Sequence, residues 1–142
     1  MRRITIGFIT WALIGFITWT LIGLFGPTAH AEKADTVTKM LVEQFMDALK
    51  AQDLEAVMKT VDVPWVHKDG AIKERPELKK YFKQLLAARD FSQMTYEVKN
   101  LSYDEPKGEY LVRLKVNKGG ADEFIVRVRY RGGNVKVVSL LD

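Results

Sequence analysis

Residues 45–70 read FMDALKAQDLEAVMKTVDVPWVHKDG, and the order of signals in this stretch decides the fold. Its first residues close an apolar stripe that begins upstream. Val37, Met40, Leu41, Phe45, Ala48 and Leu49 fall at spacings of three and four, the period of one helix face. The helix ends near Lys50. Asp53 then offers a carboxylate to the free amides of a second, shorter helix, with Leu54, Val57, Met58 and Val61 on its inner side. Asp62-Val63-Pro64-Trp65 stops helical structure, because Pro64 has no amide proton and its ring disfavours helix at Val63. Trp65-Val66-His67 and Ala71-Ile72-Lys73 flank Lys68-Asp69-Gly70, the pattern of a short hairpin.

Working outward, Asp35 or Thr36 is suited to cap the first helix. On the other side Pro76 suits the first turn of a third helix. Leu78, Tyr81, Phe82, Leu85 and Leu86 are its buried stripe, and Lys79, Lys80 and Lys83 its outer face. From Met94 the period changes to two. Thr95 to Tyr103 is a strand, and residues 104–108 turn the chain. Tyr110, Val112, Leu114 and Val116 alternate with Leu111, Arg113 and Lys115. After Gly119-Gly120, Phe124, Val126, Val128 and Tyr130 alternate with Ile125, Arg127, Arg129 and Arg131. Gly132-Gly133-Asn134 leads into a last strand to Leu141. Tight links between strands predict an antiparallel meander with one buried face. Helices first and a meander afterwards is an α+β pattern.

The N-terminus has a different composition. Residues 4–25 carry no charge and follow Arg2 and Arg3, while Ala29-His30-Ala31 has the form of a cleavage site. Residues 1–31 therefore read as a signal peptide, with residues 32–142 as a single domain placed in the periplasm or secreted. The apolar run of 22 residues is long for a leader and matches a bilayer core, so an uncleaved anchor with the domain outside is the alternative. Residues 6–13 and 14–21 read IGFITWAL and IGFITWTL, and removing one copy leaves an ordinary run of 14. A membrane contact is expected only through this segment if it stays uncleaved.

The whole chain of 142 residues has a net charge of +4 and no cysteine. The segment 1–31 removes two arginines and no acid, leaving 20 basic against 18 acidic residues, a balance that does not point to nucleic acid. Without cysteine, a disulfide framework or a zinc–thiolate centre is excluded. His67 is the single histidine beyond residue 31, so no metal site is expected, and no cofactor motif is present.

The order of helix, helix, short hairpin, helix and long strands resembles the nuclear transport factor 2-like superfamily, including its SnoaL-like branch, over about residues 34–142. Phe45 to Leu54, Asp62-Val63-Pro64-Trp65 and Asp69-Gly70 carry the resemblance. It implies a cystatin-like cone: three N-terminal helices packed in a curved antiparallel sheet, with a pocket at the open end. The superfamily holds isomerases, dehydratases and cyclases, and also plain binding or dimerisation domains, so fold alone does not assign a reaction.

Enzymes on this cone need a carboxylate or histidine on the inward sheet face, where burial tunes it. The inward sets Tyr110/Val112/Leu114/Val116 and Phe124/Val126/Val128/Tyr130 have none. Asp62 and His67 are the remaining candidate pair for proton transfer, against roles as a turn anchor and a hairpin surface residue. Trp65, Tyr81, Tyr96, Tyr110 and Tyr130 are candidates to line a ligand pocket, or to fill the core. Arg113, Arg127, Arg129 and Arg131 share an outer sheet face that reads as a solvated, anion-binding or dimer surface. The resulting expectation is an exported, non-catalytic domain that binds a small apolar molecule or a partner, with a homodimer as the assembly. A small lyase or isomerase using Asp62 and His67, and a structural homodimer with a filled cone, are the alternatives.

Overall fold

The computed structural model describes residues 33–117, 121–131 and 133–141. The segment 1–31, the Gly119-Gly120 turn and Gly132 lie outside them. Residues Asp35–Asp142 form one unit. Among the described residues no helix is long and apolar enough to cross a membrane.

The first helix, α1, covers residues 33–50. Asp35 and Thr36 are already helical, so they do not cap it as expected. The buried face is also rotated from the expected stripe. Thr38, Val42, Phe45, Met46 and Leu49 are fully buried, whereas Met40 is 54% exposed and Val37 and Leu41 are half-buried. Counting apolar spacing misplaces the phase here because the buried face includes a threonine. The helix ends in a Schellman turn: Asp53 N donates to Ala48 O and Gln52 N to Leu49 O, with Gln52 at φ 56. Glycine is the usual residue there. Gln52 holds the conformation with its side chain, donating from Nε2 to Leu86 O and accepting at Oε1 from Phe91 N.

Helix α2 (Leu54–Thr60) begins as expected, with Asp53 Oδ1 accepting from Ala56 N at 3.2 Å. Strand β1 (Val61–His67) starts earlier than expected and takes Val61 out of the helix. Pro64 sits within it, after a cis Val63–Pro64 bond. Its missing amide is tolerated because pairing with β2 (Gly70–Ile72) begins only at Trp65, opposite Ile72. The pairing on the other side is irregular between Val61 and Val66. Helix α3 (Arg75–Ala88) has Pro76 in its first turn. It buries Leu78 and Phe82, half-buries Tyr81, Leu85 and Leu86, and turns its lysines outward.

Strands β3 (Thr95–Asp104), β4 (Glu109–Asn117), β5 (Ala121–Arg131) and β6 (Asn134–Leu141) form the expected meander. The six-stranded order is β2-β1-β6-β5-β4-β3. One neighbour pair departs from the antiparallel expectation: β1 runs parallel to β6, with Ser139 Oγ donating to Val66 O at 2.9 Å. The sheet is therefore mixed, and it is curved. Register shifts in β3 and β6 are the kind of bulge that bends a strand. Val112, Leu114, Val116, Val126 and Val128 are buried on the inward face, as the alternation required. Each such side chain contributes about 1.5–3 kcal/mol on burial, the main force holding the fold together.

Candidate functional site

The inner end of the cone is built around Trp65, which is fully buried. Strand β1 places it against three helical rings: Phe82 at 5.0 Å, Tyr81 at 6.3 Å and Phe45 at 6.4 Å between centroids. Its indole nitrogen is buried and has no hydrogen-bond partner among the described residues. His67 stacks on the outer side of Tyr81 at 5.6 Å, and its Nδ1 accepts from Asp69 N. Next to this group, Tyr81, Leu85, Arg89, Phe91, Phe124 and Leu140 line a cavity of about 90 Å³. Larger concavities open elsewhere on the surface. One of about 410 Å³ lies among Lys99, Arg113, Lys115, Asp122 and Glu123, and one of about 340 Å³ lies between α1 and the start of β6.

Of the five aromatic candidates, the structure brings Trp65 and Tyr81 together, and of these Tyr81 lines the cavity. Tyr96 instead pins β3 to α1, its hydroxyl 2.8 Å from Asp47 Oδ1 and 3.3 Å from Glu43 O. Burial, then the Asp47 carboxylate and Glu43, hold its pKa above the ordinary phenol value. Tyr110 belongs to a separate row of rings with Tyr103 and Tyr130. Burial raises its pKa, as does the nearby Asp35 carboxylate.

Asp62 and His67 are not joined by any hydrogen bond or ion pair among the described residues. Asp62 is held by cations: Arg129 Nη2 donates to Oδ2 at 2.6 Å and Arg75 Nη1 to Oδ1 at 3.4 Å. Burial alone would raise its pKa, but the Val63 amide, Arg129 and Arg75 outweigh burial and hold it below 3.8. A carboxylate with a lowered pKa is a weak base at neutral pH, the opposite of what acid–base chemistry in a cone requires.

Three of the four candidate arginines each meet a carboxylate. Arg113 meets Glu123 at 3.4 Å, Arg127 meets Glu109 at 3.9 Å, and Arg129 meets Asp62. The Arg127 contact is an ion contact only, since Arg127 Nε and Glu109 Oε2 are both buried without a hydrogen bond among the described residues. Arg131 is exposed. Leu111, Ile125 and Leu141 sit half-buried among these charges.

Arg75 was not anticipated from the sequence. From the start of α3 it donates to Met58 O and Val61 O as well as to Asp62, covering the carbonyl end of α2. The only local signal for it is an arginine before Pro76. Among the described residues no group of three His, Asp or Glu could hold a metal ion.

No protein-family model matches the chain, and no curated protein matches it. Solved structures do. A nuclear transport factor 2-like protein of unknown function from Pseudomonas putida is similar at TM-score 0.56 and 15% identity, covering 77% of this chain and 84% of that one. A protein with a cystatin-like fold from Nostoc punctiforme is similar at TM-score 0.55 and 19% identity, over 75% and 88%. A ketosteroid isomerase-like protein from Erwinia carotovora is similar at TM-score 0.56 and 16% identity, over 74% and 91%. At these identities the likeness is one of fold. With its three helices, its curved six-stranded sheet and its buried Trp65, the chain has the nuclear transport factor 2-like fold.

Proposed function

We propose that the chain is an exported interaction domain that acts without chemistry, its cone closed by its own aromatic side chains. The observation that carries this reading is the packing at Trp65. Phe45, Tyr81 and Phe82 surround it, and the adjoining cavity is about 90 Å³. Pockets for ligands of drug size run to about 300–1,000 Å³. The cations on Asp62 support the same reading, because they disable it as a base.

The partner is first a second copy of the chain, on the outer sheet face. That face carries Leu111, Ile125 and Leu141 among arginines that already have carboxylates. Such a face can lose water against another surface with Arg113, Arg127 and Arg129 kept beside carboxylates. The leader 1–31 takes the domain out of the cytoplasm and is removed after Ala31.

Native mass spectrometry of the protein purified from the cell envelope tests each part separately. The expected species is a bare dimer of chains beginning at Glu32. A full-length mass would overturn cleavage, a monomer would overturn the dimer, and an additional bound mass would overturn the closed cone.

A further inference from the structure

We infer that Tyr103 and Tyr110 form an oxidative cross-linking site, at which a peroxidase-type oxidant joins strand β3 to strand β4. The two residues face each other directly across the ladder that closes the β3–β4 hairpin. Their ring centroids are 4.9 Å apart with planes at 50°. Tyr103 is 52% exposed, so an oxidant reaches it, while Tyr110 is 8% exposed and fixed in place. The Asp35 carboxylate lies near enough to act on the Tyr110 hydroxyl electrostatically. Tyr130 is a poorer partner for Tyr110, at 6.2 Å and edge-on. Tyr81 and Tyr96 lie in other contacts, with Trp65 and with Asp47.

The chemistry balances with hydrogen peroxide acting through a haem peroxidase. Each phenol loses one electron and one proton, the protons passing to water. The two phenoxyl radicals couple through ring carbons beside their hydroxyls, and the rings regain aromaticity by moving their ring protons to oxygen. Peroxide takes up the two electrons and two protons and leaves as two waters. The product is a dityrosine lacking two hydrogen atoms. It ties down β3, an edge strand, in a chain that has no cysteine for a disulfide.

The test treats the purified protein with a haem peroxidase and hydrogen peroxide, followed by dityrosine fluorescence and peptide mapping. The expected product is a cross-link between Tyr103 and Tyr110 within one chain. Tyr103→Phe should abolish it while Tyr130→Phe leaves it intact. Cross-links that mainly join separate chains, or an undiminished yield in Tyr103→Phe, would overturn the assignment.

Discussion

Arg129 Nη2 lies 2.6 Å from Asp62 Oδ2, although 67 positions separate them in the chain. Arg129 also donates to Val63 O at 3.2 Å. One guanidinium on β5 thus holds both the carboxylate and the backbone where β1 leaves α2. Its side chain is 16% exposed, so water cannot readily replace the partner it would lose. Asp62→Asn should therefore destabilise the fold by about 1.5–3 kcal/mol, the usual worth of a hydrogen bond to a charged group. Urea unfolding at neutral pH measures this directly. A loss below the error of the fit would show the pair to be a surface ornament.

The same pair sets a pH dependence. The Asp62 pKa is lower in the folded state than its ordinary 3.8. Its stabilisation is fully present above that unfolded value and is lost as pH falls through the lower folded one. Between pH 5 and pH 2 the native protein should lose stability more steeply than Asp62→Asn, and the two curves should converge in acid. Parallel curves would place the proton linkage elsewhere.

Gln52 stands at φ 56, where a side chain costs about 1–2 kcal/mol. Its bonds to Leu86 O and Phe91 N offset that strain. Gln52→Ala keeps the strain and loses the bonds, so thermal unfolding should show a loss of about 1–2 kcal/mol. Gln52→Gly relieves the strain and should recover part of that loss. Equal stabilities for the two variants would contradict this balance.

Tyr96 ties the edge strand to α1 through one hydroxyl. Tyr96→Phe should cost about 1–1.5 kcal/mol with the ring packing retained. Amide hydrogen exchange should show the opening concentrated in residues 95–98, and uniform acceleration across the sheet would argue against a local tie.

Local chemistry was legible in the sequence. The Asp53 cap, the hairpin around Lys68-Asp69, the α3 stripe and the alternation in β4 and β5 all depend on near neighbours, and all stand where their residues indicated. Long-range relations were not. Nothing near Val61 or Val137 signals that β1 lies parallel to β6, because no tight turn joins them. Apolar spacing alone misses the phase of α1, because Thr38 is buried while Met40 is exposed. At the site, Trp65 as core filler was one of two open readings, and only three-dimensional packing could supply Tyr81, Phe82 and Phe45 around it. The pairing of Asp62 with Arg129 was invisible for the same reason.

The most direct measurement is the electron density around Trp65 in a crystal of protein purified from the cells that make it. The expected result is an indole packed against Phe45, Tyr81 and Phe82, with nothing beyond ordered water in the small cavity beside it. Density for an elongated molecule running inward past Tyr81, with Trp65 turned aside to admit it, would contradict a cone closed by its own side chains.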